Sequence, residues 1–290
     1  MKKFLFIVLA VVVGACSGTT PERASAGLSS TCGSLSGHPA HYRHVIWIWF
    51  ENKSYSQIIG SSSAPYLNRL ARRCGLATRY HAVTHPSLPN YIAATSGSTH
   101  GIADDEGPWS HRLAVGSIFS QVQAAGDRWR SIEESMPEPC YLSNSGRYAV
   151  RHNPAAYYTG IRTTCERWDV SALTAWHCRF TFVTPNACHD MLDCSVATGD
   201  AWLKRFLPRV ISSYDYQRGR TAIFIVWDES DYSSSNHVPL IVISPYTPAG
   251  KRASTSLSHY SLLRSTESML GLPYLGKAAK ANGLREAFHL

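Results

Sequence analysis

The chain has 290 residues, a formal net charge of +8, 44% apolar and 17% charged residues, which leaves room for one large α/β domain with a basic balance suited to an anionic substrate or surface. It has no Lys/Arg run interleaved with aromatics, so nucleic acid is set aside as a partner. No apolar run beyond the first fifteen residues is long enough to span a bilayer.

Met1-Lys2-Lys3 followed by the apolar stretch 4–13 forms a basic n-region and a short h-region, which reads as an export signal. Val13-Gly14-Ala15-Cys16 resembles a bacterial lipobox, with cleavage before Cys16 and lipid on its thiol; an ordinary small-residue cleavage site is the alternative. Loss of residues 1–15 would remove Lys2 and Lys3 and no acid, lowering the charge of +8 by two to +6. Residues 16–41 are rich in Ser, Gly, Thr and Pro and are expected to form a tether, leaving 42–290 as the folded domain. The expected location is extracytoplasmic, lipid-anchored or secreted, and the expected state is a monomer.

With Cys16 lipidated, seven cysteines remain, and an exported chain is expected to pair them. Cys188–Cys194, enclosing a short loop, is the first expected bridge, Cys140–Cys165 the second and Cys32–Cys74 the third, which leaves Cys178 unpaired. A zinc site is the rival, but no paired Cys-x-x-Cys knuckles occur.

In chain order, the nearly continuous apolar run 44–50 reads as a strand buried on both faces. Residues 65–73 set Tyr66, Leu67 and Leu70 on one helical face, with Gly75 as a stop. A strand is expected over 76–83 and a helix over 90–95, with a further helix around Ile118, Phe119 and Val122. A strand follows at 180–184, then a helix over 198–214 interrupted at Pro208, strands at 221–227 and 238–244, and a helix over 259–270 before Gly271. This alternation predicts one α/β domain with a central, mostly parallel sheet covered by helices on both faces.

In such sheets ligands collect at the carboxyl ends of the strands. The first strand runs into Glu51-Asn52, the strand at 76–83 leads to Ser87 and Asn90, the strand at 180–184 to Asn186, His189 and Asp190, and the strand at 221–227 to Asp228-Glu229. Glu51, Asn52, Ser87, Asp228 and Glu229 offer only oxygen donors, a set that suits a hard divalent cation such as Ca²⁺, Mg²⁺ or Mn²⁺ better than zinc. Ser87, set between Pro86 and Pro89 at a helix start, is the candidate nucleophile, its hydroxyl acidified by the cation. Asn90 one turn on, Arg151-His152, Asp190 and His237 are candidates to hold a phosphorylated substrate, and His189 to protonate the leaving oxygen. His259 is a helix-start residue within possible reach of the site.

Glu51-Asn52, Ala64-Pro65-Tyr66-Leu67, His85-Pro86-Ser87-Leu88-Pro89-Asn90-Tyr91, Arg151-His152-Asn153-Pro154 and Trp227-Asp228-Glu229, in this order, resemble the bacterial phosphoesterase family of secreted acid phosphatases, phosphatidylinositol phosphatases and phospholipases C. The resemblance implies an alkaline-phosphatase-like fold. It also implies a metal held by residues matching Glu51, Asn52, Ser87, Asp228 and Glu229, Ser87 as nucleophile, and Asn90 on phosphate. The Ser-x-x-Asn segment is also similar to the nucleophile turn of nucleotide pyrophosphatases. One departure stands out: Leu192 replaces a His expected near the leaving group, and His189 is the stand-in. The expected activity is a metal-dependent phosphatase acting on phosphorylated small molecules or lipids through a phosphoserine. The alternatives are a phospholipase C-type phosphodiesterase and, from another class, a non-catalytic lipoprotein that binds phosphorylated ligands.

Overall fold

The computed structural model describes residues 31–161, 165–167 (backbone only), 178–232 and 235–290. The expected signal, the expected lipobox with Cys16 and the first part of the expected tether lie outside the described residues, as does the Cys165 side chain of the expected Cys140–Cys165 bridge.

Strand β1 (His44–Phe50) is buried along its whole length and lies at the centre of an eight-stranded sheet. A strand without a polar face cannot sit at an edge, so its two parallel neighbours, β6 (Phe180–Thr184) and β7 (Thr221–Trp227), are also fully buried. Rings interlock across this centre: Trp47 meets Phe180 edge-on at 5.0 Å, and Trp49 stacks on Phe182 at 5.5 Å. Full burial of each such side chain contributes about 2–3 kcal/mol.

Beyond β6 come β4 (Trp129–Glu133) and β5 (Cys165–Arg167), both parallel. Beyond β7 come β8 (Leu240–Ile243), antiparallel, then β2 (Gly75–Ala77) and β9 (Arg252–Ala253). The helices are α1 (Tyr55–Ile58), α2 (Pro65–Arg73), α3 (Ser87–Ser96), α4 (Ile118–Ala124), α5 (Val196–Ile211), α6 (Tyr214–Gln217), α7 (His259–Leu270) and α8 (Arg285–Phe288). Among the described residues no helix is long and apolar enough to cross a membrane.

Several expectations change in instructive ways. The strand expected over 76–83 divides: β2 stays in the main sheet, and after Thr78-Arg79 the chain leaves it as β3 (Tyr80–His81), paired in parallel with β10 (Leu257–Ser258). Pro208 does not interrupt α5. It sits on the solvent face, where water can meet the carbonyl it leaves unbonded, and the apolar stripe Leu203, Phe206, Leu207, Val210 continues past it. The helix expected from residue 90 begins at Ser87 itself, with Pro86 as its N-cap.

Residues 31–41, expected as tether, are fastened to the domain. Cys32 is bridged to Cys74, Leu35 N–H donates to the Pro245 carbonyl at 3.0 Å, and Arg285 donates to the Pro39 carbonyl at 2.8 Å. Cys188–Cys194 is formed as expected.

Candidate active site

Register fixes the site. Phe50 is paired with Trp227, so Glu51-Asn52 and Asp228-Glu229 leave the sheet side by side. Backbone ties hold them: Asp228 N–H donates to the Phe50 carbonyl at 3.0 Å, and Asn52 N–H donates to Asp228 Oδ1 at 2.9 Å. Asn52 adopts a φ of 51°, a left-handed conformation that Asn tolerates better than most residues, and its Nδ2 donates to Glu51 Oε2 at 3.1 Å. The loop after β6 is stitched in by Glu51 N–H, which donates to the Asp190 carbonyl at 2.8 Å.

Ser87 is the first residue of α3, close to the free N–H groups and the positive end of the helix. Its Oγ donates to Glu51 Oε2 at 3.1 Å and stands 3.5 Å from Glu229 Oε1. Tyr91, one turn further along α3, donates its hydroxyl to Glu51 Oε1. Asn90 is buried in the same turn. Its Oδ1 accepts from the N–H groups of Val83 and Thr84 at 2.9 and 3.0 Å, and its Nδ2 donates to the carbonyls of Thr84 and Pro86 at 2.9 and 3.0 Å. The Asn90 amide therefore shapes the loop that presents Ser87.

His152 closes the far side. Its Nε2 lies 3.3 Å from Glu51 Oε2, its Nδ1 lies 3.2 Å from Asp190 Oδ2, and its ring is parallel to that of Tyr91 at 5.7 Å. Burial, with the Arg151 charge second, holds its imidazole down at about 3, so it is neutral at pH 7. Arg151 itself turns to Asp105, with Nε 3.7 Å from Oδ2, while Asp105 Oδ1 accepts from Leu88 N–H at 2.9 Å and so caps α3 beside the candidate nucleophile.

Glu51, Asp190, Asp228 and Glu229 are all buried. Burial pushes each carboxyl upward, and the charges of Asp228 and Asp190 push Glu51 further. Among the described residues no Lys or Arg forms an ion pair with any of the four, although the Arg151 charge acts on Glu51, Asp190 and Glu229 from further off; the close partners are His85 and His152.

Asp228 Oδ2 is buried without a hydrogen-bond partner. A concentration of buried acidic oxygens with an orphan at its centre fits a divalent cation, whose charge would reverse the cost of ionising them. Among the described residues no three His, Cys, Asp or Glu side chains already converge as a ready-made ligand set. Ser87 Oγ and the Asn52 side chain are the further oxygen donors adjoining Glu51.

Two expected residues are not brought together with Ser87. The His189 Nδ1 lies 2.8 Å from Glu134 Oε2 and its ring lies over Trp202 at 6.4 Å, so it faces away while Asp190, its neighbour in the turn, faces in. The His237 ring is sandwiched between Tyr55 at 4.4 Å and His81 at 5.0 Å, a packing position beside the site. Sequence reasoning missed His85, Tyr91 and Asp105. His85 Nδ1 is 2.7 Å from Glu229 Oε2 and its ring stacks on Tyr232 at 3.9 Å. A usable signal existed for His85 and Tyr91, which flank Ser87 by two and four residues; Asp105 reaches the site only through the fold.

The sequence model of the Phosphoesterase family matches residues 61–273. The chain is 33% identical over 251 residues to the phosphatidylinositol-3-phosphatase of Mycobacterium tuberculosis, covering 83% of this chain and 81% of that protein. It is 27% identical to the phosphate-repressible acid phosphatase of Penicillium chrysogenum over 79% of this chain, and spans 59% of that protein's length.

Among solved structures, the lipoteichoic acid synthase LtaP from Listeria monocytogenes superimposes with a TM-score of 0.60 at 9% identity, over 89% of this chain and 81% of that one. A protein in the alkaline phosphatase superfamily from Vibrio parahaemolyticus gives 0.56 at 13% identity, over 89% of this chain and 74% of that one. At these identities the likeness is one of fold.

Proposed function

The chain belongs to the phosphoesterase family and is a hydrolase of phosphate esters, and on that premise we propose that it is a metal-dependent phosphomonoesterase working outside the cytoplasm with Ser87 as nucleophile. The observation that carries the proposal is Ser87 Oγ, at the N-terminus of α3, donating to Glu51 Oε2 at 3.1 Å within a buried set of acids with which no Lys or Arg forms an ion pair among the described residues. Glu51, Asn52, Ser87, Asp228 and Glu229 would hold the cation, which when bound supplies charge for the developing anion and acidity for the Ser87 hydroxyl.

The chain's own groups do the rest. Ser87 Oγ gives its proton to the Glu51 carboxylate it already contacts, bonds to phosphorus in line with the ester oxygen, and forms a phosphoserine as the ester P–O bond breaks. His85, partly exposed and held by Glu229, takes the place expected of His189 and passes a proton to the leaving oxygen. Water then attacks the phosphoserine and gives a proton back to His85, while Glu51 returns its proton to Ser87 Oγ as the Ser–O–P bond breaks, restoring Ser87 and releasing inorganic phosphate. Arg151, held by Asp105, and His152, beside Glu51, are the groups that would hold the phosphoryl oxygens. The two disulfides support an oxidising compartment, and anchoring through Cys16 completes the reading. A 3-phosphorylated inositol lipid is the first physiological substrate to try, because the Mycobacterium tuberculosis relative is named for it.

The test is turnover of a chromogenic phosphate monoester with and without a chelator and Mn²⁺ or Mg²⁺ restoration, beside Ser87→Ala. Chelator-sensitive turnover that Ser87→Ala loses by at least about a thousandfold is expected. Turnover by Ser87→Ala at the wild-type rate refutes the mechanism. Hydrolysis of phosphodiesters alone shifts the reading to a phosphodiesterase.

A further inference from the structure

Asp228 is pinned at every hydrogen-bonding group but one. Its N–H donates to Phe50, its Oδ1 accepts from Asn52 N–H at 2.9 Å, and its main-chain carbonyl lies 2.6 Å from His259 Nε2. Oδ2 alone is left buried and unpartnered. A carbonyl can only accept, so Nε2 of His259 carries the proton and Nδ1 is an acceptor. The donor to Nδ1 is the hydroxyl of Tyr80, at 2.9 Å. Tyr80 and His259 are both fully buried, and the His259 ring packs on Trp49 at 5.0 Å.

The fold built this chain of contacts by an unusual route. β3 leaves the main sheet to pair with β10, setting Leu257 opposite Tyr80 one residue before the helix-capping Ser258 and two before His259. The excursion thereby delivers a hydroxyl donor to one nitrogen of His259, whose other nitrogen reaches the backbone of a site acid.

We propose that Tyr80 and His259 are positioning residues for the cation site: the Tyr80 hydroxyl fixes the His259 tautomer, and the His259 Nε2–H fixes the Asp228 backbone so that Oδ2 stays aimed where the cation binds. The inference rests on the cation reading above, but it concerns residues outside the ligand set. Ligand-supporting groups of this kind typically hold roughly ten- to a hundredfold of metal affinity. A His buried only for packing would hold none.

The test is calorimetric titration of the purified full chain with Mn²⁺, together with thermal unfolding of the cation-free proteins. His259→Phe keeps a ring on Trp49 and loses the donor, His259→Gln can return an N–H to the Asp228 carbonyl, and Tyr80→Phe removes only the tautomer lock. The expected result is Mn²⁺ binding by the wild type, roughly ten- to a hundredfold weaker in His259→Phe, restored to within a few fold by His259→Gln, and several-fold weaker in Tyr80→Phe. Wild-type affinity in His259→Phe, whatever its unfolding temperature, overturns the proposal. If His259→Phe does not fold, unchanged affinity in Tyr80→Phe overturns it instead. Absence of Mn²⁺ binding by the wild type overturns the cation reading and this inference with it, whereas binding that ignores all three variants overturns the inference alone.

Discussion

Glu133, the last residue of β4, offers a pH experiment whose size can be worked out from its surroundings. The side chain is buried, Ser131 Oγ donates to it at 2.5 Å, and burial lifts its carboxyl from 4.5 to about 8. The raised value means that the folded protein holds this proton after the unfolded chain has released it. Its contribution is therefore fully present below pH 4.5 and is lost as pH rises through about 8. The interval spans about 3.5 pH units at about 1.4 kcal/mol each, so ionising Glu133 costs the fold on the order of 5 kcal/mol by pH 8.

Glu133→Gln keeps the shape and removes the titration. Urea unfolding of the two proteins at pH 5 and at pH 8 is the assay. The expected outcome is near-equal stability at pH 5 and a variant more stable by several kcal/mol at pH 8. A difference that does not change between the two pH values refutes the argument.

Three other outcomes follow from the geometry. His189→Ala is expected to keep turnover within a few fold, since His189 is engaged by Glu134, while His85→Ala is expected to lose roughly a hundredfold or more on esters with poor leaving groups and much less on p-nitrophenyl phosphate; equal losses on both would remove His85 as the proton donor. Asp200→Ala is expected to destabilise the fold by about 2–4 kcal/mol in urea unfolding, because its carboxylate, reaching from α5, accepts from the Tyr66 and Leu67 N–H groups at 3.0 and 2.8 Å and caps α2, whose own N-cap is Ala64. Asp105→Asn is expected to change KM for the monoester more than kcat, since Asp105 both caps α3 at Leu88 and engages Arg151; an effect on kcat alone would contradict that placement.

The central strands were legible because they are nearly continuous apolar runs: the expected 44–50, 180–184 and 221–227 coincide with β1, β6 and β7. Since the acids follow those runs directly, Glu51, Asn52, Asp228 and Glu229 could be gathered from sequence once a parallel sheet was assumed. β4 could not be read, because Trp129-Arg130-Ser131-Ile132-Glu133 buries its polar residues in private hydrogen bonds such as Ser131 to Glu133, and alternation rules see only a mixed segment.

The direction of the His189 side chain is one that spacing does not encode. In the loop closed by Cys188–Cys194, neighbouring side chains face opposite ways, so Asp190 reaches His152 while His189 reaches Glu134. Asp105 lies 18 residues beyond Ser87, with no motif around it, and only the packing of α3 brings it back.

The acid cluster also makes a thermodynamic demand on the fold. Four carboxyls raised by burial, Glu51 and Glu229 further by neighbouring acids, must hold protons or repel at neutral pH, so the cation-free protein carries a cost that a bound cation removes. A ligand that binds only the folded state at a concentration about a hundred times its dissociation constant stabilises by about 2.7 kcal/mol. For a domain of this size that corresponds to a rise of roughly 5–10 °C in Tm. Differential scanning fluorimetry with Mn²⁺, against chelator-treated protein, should show this rise in the wild type. In Glu51→Gln, which gives up a central donor but also one of the repelling charges, the cation-free protein should be at least as stable as the wild type and the rise should be small. A cation-induced shift in Glu51→Gln equal to that of the wild type would place the cation elsewhere and detach the acids at the strand ends from metal chemistry.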